Sequence, residues 1–167
     1  MKKIVVFMLT SFLFIFSSVK AETIKLGILE DETGNFAIAV VPKIHAYELA
    51  VKEINANGGV LGKKLEIVRY DTQSDNRRFQ EFARRLIKKD KVDVVFGAFS
   101  SASRESIRGI MEKNKMLYFY NNQYEGGVCS KTTFMTGAVP EQQFSTLVPW
   151  MMDCLLYTSD AADDRLS

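Results

Sequence analysis

Two patterns of apolar residues alternate along this chain. Short apolar runs bounded by turn residues alternate with longer stretches in which apolar residues recur every three or four positions. The first pattern is typical of buried strands and the second of amphipathic helices. From Thr23 onward the order predicts an α/β domain, with a mostly parallel sheet and helices on both faces.

Five segments are predicted to be strands because they are short, apolar and rich in β-branched or aromatic residues. Each is bounded by turn residues or by a predicted helix. The predicted strands are residues 24–29, 65–70, 92–96, 115–120 and 133–136.

The first predicted helix begins at Pro42, since proline favours the first helical turn, and it ends at Asn57-Gly58-Gly59. Its predicted buried face consists of Ile44, Tyr47, Leu49, Ala50, Val51 and Ile54.

Three further helices are predicted from capping residues and apolar spacing. Ser74 or Asp75 caps the second, Ser101 or Ser103 begins the third, and Pro140 begins the fourth. The third is expected to reach Met111 and the fourth to run toward Met152.

Residues 1–21 have the pattern of a secretory signal peptide. Lys2 and Lys3 precede an apolar run over residues 4–16, and the small residues Val19 and Ala21 mark a cleavage site. The run is too short for a membrane anchor, which needs roughly 20 apolar residues. We therefore predict an exported protein, periplasmic or extracellular.

The net charge does not alter the predicted fold or location. Removing the leader would leave 19 basic against 20 acidic residues. Balanced charge gives no reason to predict nucleic acid as a partner.

Residues 153–167 (DCLLYTSDAADDRLS) abandon every preceding pattern. They are similar to translated sequencing-adapter read-through, and we predict that this tail is non-native; a disordered polar terminus is the alternative. Residues 22–152 would then form the ligand-binding lobe. Cys129 is the only cysteine outside the tail, so no disulfide is predicted.

Ligands bind parallel α/β sheets where loops leave the carboxyl ends of strands. That rule selects residues 30–36, 98–103 and 121–127. Phe99-Ser100-Ser101 offers an aromatic ring and two hydroxyls directly before a helix whose free N–H groups favour a carboxylate or carbonyl oxygen. The alternative for Ser101 is simple helix capping.

A second candidate loop is Tyr120-Asn121-Asn122-Gln123-Tyr124. Its amides both donate and accept hydrogen bonds, which suits a neutral amide-like ligand. The alternative is an ordinary turn whose tyrosines pack against the core.

Catalytic and metal-binding motifs are missing from the sequence. It has one histidine, His45, and no G-x-S-x-G elbow, phosphate-binding loop or Cys/His spacing suited to zinc. We therefore predict no enzyme, no metal and no cofactor. An exported hydrolase using Ser100 or Ser101 is the alternative, and it would need His45 to reach them.

Four segments carry a resemblance to a known family. They are IKLGILEDETG, AVKEINANGGVLGKKLEIVRYDTQSD, VVFGAFSSASR and FYNNQYEGGVCSKTTFMTGAVPEQQ. The chain from about Ile24 to Met152 resembles the type I periplasmic binding proteins, in particular the urea, short-chain amide and branched-chain amino acid receptors of ABC importers.

The resemblance implies two α/β lobes that close over a solute, with the amino-terminal lobe present here and the second lobe missing, which leaves a weak half-site. It implies a receptor that delivers urea, a short-chain amide or a small branched-chain amino acid to an ABC permease. A ligand-sensing domain of a regulator or receptor is the alternative. The missing lobe also predicts an exposed apolar edge and poor solubility.

The resemblance also assigns roles to residues of this sequence. It places the solute's polar head at Ser101, with Phe99 and Ser100 beside it. The residues it implies in the remaining loops are Tyr120, Asn122 and Gln123, with Phe36 as an aromatic cover.

Overall fold

The computed structural model describes residues 22–163. The predicted signal peptide lies outside them. A helix follows each of the five strands except β4, which a loop joins to β5. The strands are β1 (Ile24–Glu30), β2 (Leu65–Asp71), β3 (Val94–Gly97), β4 (Leu117–Tyr120) and β5 (Thr133–Met135). The helices are α1 (Ala37–Ala56), α2 (Asn76–Arg85, extended by a π-helical turn, Leu86–Asp90), α3 (Ser101–Lys113) and α4 (Pro140–Asp163).

The strands form one parallel sheet in the order β2-β1-β3-β4-β5, which confirms the predicted α/β class. Leu26 of β1 pairs with Ile67 on one side and Val94 on the other. Strand β2 therefore lies on one side of β1, and β3, β4 and β5 lie on the other side, so the direction in which strands are added to the sheet reverses after β2. Such a reversal opens a crevice at the carboxyl ends of the neighbouring strands.

Alternate residues of each strand point to opposite faces of the sheet. One face, here called the covered face, packs against α2 and α3. A continuous cluster of fully or almost fully buried residues lies there: Leu29, Phe79, Ala83, Leu86, Val92, Val95, Ala98, Ile107, Met111, Tyr118 and Tyr120.

The opposite face, here called the open face, packs against α1. A ladder of stacked rings crosses it, Phe96 on Phe119 and Phe119 on Phe134, each pair with centroids 5.2 Å apart. Phe134 is 43% exposed. Apolar surface is therefore distributed very unequally between the two faces.

The predicted start of the first helix at Pro42 is wrong, because α1 begins at Ala37 and Pro42 lies inside it. Proline there removes the hydrogen bond to the carbonyl of Ile38, a residue on the solvent side where water can replace the bond. The extra turn is favoured because Val40 is fully buried, one turn before Ile44.

The predicted buried face of this helix is wrong at Leu49, Ala50 and Ile54, which are exposed. The second half of α1 does not close onto the sheet. An apolar cavity of about 380 Å³ lies between them, lined by Val51 from the helix and Leu26 from β1 among others.

Strands β3 and β4 begin two residues later than predicted. Lys91, before β3, adopts a left-handed backbone conformation (φ 54°), as does Lys115 before β4 (φ 53°). In addition, the Met116 N–H donates to the carbonyl of Met111, which closes the end of α3. Turn closure therefore uses residues that the apolar pattern assigns to strands.

Helix α4 begins at Pro140 as predicted and continues past Met152 to Asp163. Cys129 and Cys154 are both exposed and free. Across residues 22–163, none of the helices combines the length and apolar character needed to cross a membrane.

Candidate functional site

A cavity of about 520 Å³ opens at the carboxyl ends of β3 and β4. Six of the residues proposed from the sequence line it together: Phe99, Ser100, Ser101, Tyr120, Asn122 and Gln123. Tyr124, Glu125, Pro140 and Gln143 complete its lining. Phe36, the seventh, is not part of the lining but stacks on Phe99 with ring centroids 4.9 Å apart.

The backbone that leads into this cavity makes a close turn at the end of β3. Gly97 has φ 135°, and a Cβ atom there would lie 2.0 Å from the carbonyl oxygen of Leu29. The next residue, Ala98, is also left-handed, at φ 67°. Only glycine fits the first of these positions, because β1 and β3 approach each other directly.

Side chains hold the turn in place. Lys43 Nζ donates to the carbonyl of Ala98 at 3.3 Å. The carbonyl of Phe99 accepts from the Tyr120 hydroxyl at 2.8 Å and from Asn122 Nδ2 at 2.6 Å. Both acceptor positions of that carbonyl are thus filled, and Tyr120 and Asn122 use polar atoms to fix the cavity wall.

Helix α3 begins at Ser101 as predicted, but its cap is Ser100, so the alternative that Ser101 caps the helix is wrong. Ser100 Oγ accepts from the backbone N–H of Ser103 at 3.0 Å. The hydroxyl of Ser101 is therefore free of the helix, and it donates to Glu125 Oε2 at 2.8 Å.

Behind this pair lies Arg104, which is almost fully buried. Its guanidinium lies over the rings of Tyr120 and Tyr124, 4.8 and 5.4 Å from their centroids. It donates to both carboxylate oxygens of Glu125, at 3.2 and 2.9 Å, and to Glu105 at 3.0 Å. Such charge-assisted, bidentate contacts are strong and directional.

The pKa values follow this geometry. Hydrogen bonds from Arg104, followed by a backbone N–H and Ser101, lower the pKa of Glu125 to about 2. Burial alone would lower the pKa of Arg104, but its hydrogen bonds with Glu125 and Glu105 raise it overall. Both groups are therefore charged throughout the physiological range.

The loop after β4 is held by a second close approach. A Cβ atom at Gly137 would lie 1.7 Å from the carbonyl oxygen of Asn122. The segment after β5 thus packs directly against this loop. Gln143, from the first turn of α4, donates to the carbonyl of Ala138 at 3.0 Å, which leaves its amide oxygen available.

A buried polar cluster supports the site from the α1 side. Glu30 is fully buried, and its Oε1 accepts from Lys43 at 2.7 Å and from the Tyr47 hydroxyl at 3.1 Å. Asn121 Nδ2 donates to the same hydroxyl. Burial raises the pKa of Glu30, an effect that Lys43 partly offsets. The cluster ties α1 to the loops after β1, β3 and β4.

The hydroxyls of the cavity are not arranged as a nucleophile with its base. Ser100 bonds to Ser103 and Ser101 to Glu125. His45 is exposed on α1, on the other side of the sheet from α3. Among the side chains that the structure describes, residues 22–154, no three His, Cys, Asp or Glu residues cluster as a metal site would require. The groups present can bind a solute through hydrogen bonds and ring contacts.

The sequence reasoning missed Arg104, Glu125 and Gln143. Arg104 and Glu125 are far apart in sequence and meet only when the loop after β4 folds over α3. Only the sequence positions of Arg104 and Glu125 could have indicated that they belong to the site. Arg104 follows Ser101 by three residues, so the two share a helix face, and Glu125 lies inside a loop already selected as a candidate.

Residues 24–157 match the family described as the periplasmic binding protein domain. A curated relative, Leu/Ile/Val-binding protein homolog 7 of Brucella melitensis biotype 1, is 38% identical over 96 residues, 58% of this chain and 24% of that protein. The chain thus matches about a quarter of the length of that relative.

Solved structures share the fold. The substrate-binding protein LivJ of Streptococcus pneumoniae, in complex with isoleucine, superposes with a TM-score of 0.64 at 27% identity, covering 68% of this chain and 33% of that one. A fatty acid ABC transporter substrate-binding protein from Thermomonospora curvata gives 0.67 at 26% identity, covering 83% and 35%.

Proposed function

The chain belongs to the periplasmic binding protein domain family, and from that membership we propose that it is an extracytoplasmic receptor that binds a small polar solute for an ABC transporter. Binding is reversible and leaves the solute chemically unchanged. The predicted leader would place the receptor outside the cytoplasmic membrane, where it meets both the solute and the permease.

One observation carries this proposal: six residues, which lie between β3 and the first turn of α3 and at or just after the end of β4, line a single cavity at the carboxyl ends of parallel strands. Small-molecule sites in such folds lie at this edge. The cavity combines the rings of Phe99 and Tyr124 with hydroxyl and amide groups. Rings can cover the apolar part of a solute while the polar groups bind its head.

The solute is urea, a short-chain amide or a small branched-chain amino acid. Asn122, Gln123 and Gln143 contribute amides to the cavity lining, and amides complement both N–H and C=O groups of a solute. The Leu/Ile/Val-binding name of the Brucella relative and the isoleucine bound in the Streptococcus structure support the amino acid reading.

Isothermal titration calorimetry of the 167-residue chain tests the proposal, with leucine, isoleucine, valine, urea and acetamide added to about 10 mM because a single lobe should bind weakly, in roughly the millimolar range. We expect saturable heat with at least one of them. If none binds, the proposed function is wrong.

A matched pair of variants locates the binding. Gln123→Ala removes an amide that lines the cavity, and should weaken binding roughly tenfold, the usual effect of one lost hydrogen bond. Gln80→Ala makes the same change on α2, outside the cavity lining, and should bind as the wild type does. Equal affinities for both variants would contradict this assignment of the site.

A further inference from the structure

Glu125 places a permanent negative charge in the lining of the cavity. Its side chain is 53% exposed, and its carboxylate contacts Ser101 and Arg104. These two residues carry the hydroxyl and the cation that a solute carboxylate would otherwise use. Glu125 therefore competes with any anionic solute for the donors it needs.

The hydroxyl of Ser101 has one proton, and that proton is donated to Glu125 Oε2. A hydroxyl whose proton is engaged still has lone pairs. Toward the cavity Ser101 therefore acts as an acceptor. It suits an N–H group of the solute and not a carboxylate oxygen.

The guanidinium of Arg104 also has its N–H donors engaged by protein groups. Glu125 takes two of its donors and Glu105 a third. The side chain is 3% exposed and its guanidinium lies over the rings of Tyr120 and Tyr124. A solute carboxylate would have to displace Glu125 to reach it, and among the described residues the cavity lining contains no lysine or arginine.

We propose that Glu125 is a specificity-determining residue, which makes the cavity accept a neutral solute head bearing N–H donors, such as an amide or urea, and reject a head bearing a carboxylate. The inference rests on the proposed function and narrows it. The solute of this chain would then differ in charge from the isoleucine bound in the Streptococcus structure, since an amino acid carries a carboxylate.

The ionisation of Glu125 supports this inference. With its pKa lowered to about 2 by the hydrogen bonds from Arg104, the carboxylate stays charged at any physiological pH. A solute carboxylate brought next to this half-exposed carboxylate is repelled by it. The preference for the neutral head should therefore be the same at pH 6 and at pH 8.

A pair of isosteric solutes tests the inference on the wild-type chain, with no variant needed. Isobutyramide and isobutyrate have the same shape and differ in the amide against the carboxylate. Calorimetric titration should give a dissociation constant at least roughly tenfold lower for isobutyramide. Equal affinities, or tighter binding of isobutyrate, would overturn the inference while leaving the proposed function standing.

Glu125→Gln removes the charge and keeps the shape. We expect the ratio of the two dissociation constants, isobutyrate over isobutyramide, to fall by roughly tenfold or more. Glu105→Gln is the control, because it makes the same change on the other carboxylate of Arg104, outside the cavity lining. Its ratio should stay within about twofold of the wild type.

The outcomes separate the two claims. An unchanged ratio in Glu125→Gln, with a wild-type circular dichroism spectrum, contradicts the role of Glu125. An equal fall in both variants assigns the effect to the charge of Arg104 and also contradicts it. If neither solute binds to any of the three chains, the inference fails, whereas the proposed function fails only if leucine, isoleucine, valine, urea and acetamide do not bind either.

Discussion

The two faces of the sheet differ in how they are packed and in what they support. On the covered face, helices α2 and α3 bury a continuous core that includes Tyr118 and Tyr120. On the open face, the rings of Phe96, Phe119 and Phe134 are stacked on one another but remain partly exposed.

The covered face also supports the site. The hydroxyl of Tyr118 donates to the carbonyl of Gly97, and that of Tyr120 to the carbonyl of Phe99. The core therefore holds the turn that forms the cavity wall. Changes on this face should disturb both stability and binding, and changes to the stacked rings of the open face should affect mainly the association of the chain with itself.

The largest effect is expected at Tyr118, the central residue of β4 on the covered face. Tyr118→Ala removes a fully buried ring and should lower the free energy of unfolding by about 3–5 kcal/mol. Phe119→Ala, the next residue and on the open face, should lower it by only about 1 kcal/mol, because that ring is partly exposed. Urea denaturation measures both. Equal losses would remove the distinction between the faces.

A smaller loss is expected at Gly97. Gly97→Ala places a Cβ atom against the carbonyl of Leu29 at a left-handed position, and should destabilise the fold by about 1–3 kcal/mol. Gly109→Ala is the control. It lies in α3 with open space around it, and alanine there should stabilise the fold by roughly 0.5–1 kcal/mol. A stable Gly97→Ala variant would show that the turn is not constrained as described.

The pH dependence of stability should show the contribution of the lowered pKa of Glu125. A lowered pKa in the folded state contributes stability above the ordinary value of 4.5, and that stability is lost as the pH falls from 4.5 toward 2. Glu125→Gln removes the contribution, so its unfolding free energy should fall less than that of the wild type between about pH 5 and pH 3.

The difference should be modest, because Glu125 is about half exposed and solvent screens it. Comparing the two chains isolates the effect from the oppositely shifted Glu30. If the unfolding free energies of the wild type and Glu125→Gln changed with pH in parallel, the lowered pKa of Glu125 would be contradicted.

The smallest change in stability is expected on the open face. Phe134→Ser removes an exposed ring and should alter the free energy of unfolding by less than about 1 kcal/mol, yet reduce self-association measured by light scattering. Ser106→Ala, on α3, is a control that leaves the open face intact. Unchanged association in Phe134→Ser would contradict the predicted link between exposed apolar surface and poor solubility.

The sequence predicted the strands and the loops because apolar periodicity is local. Once the strands are placed, their carboxyl ends are known, and the loops after β3 and β4 follow. The start of α1 could not be read this way, since the burial of Val40 against the sheet outweighs the usual preference of Pro42 for a first turn.

The same reasoning explains which parts of the site were missed. Phe99 and Ser101 follow a strand directly, so local pattern selects them. Glu125 acquires its role from Arg104 and Ser101, which contact it only in the folded chain. Its position in a polar loop predicts exposure, and the ion pair that gives it a fixed place depends on tertiary structure.

The most direct test of the central claim is a residue-resolved one. In ¹H–¹⁵N correlation spectra of the labelled chain, titration with isobutyramide should shift the amide signals of Ser101, Gln123 and Glu125, which line the cavity. The signals of β2 and of α1 beyond Glu48 should stay in place. Saturable shifts confined to those latter segments, or no shifts at all, would contradict a solute site at this end of the sheet.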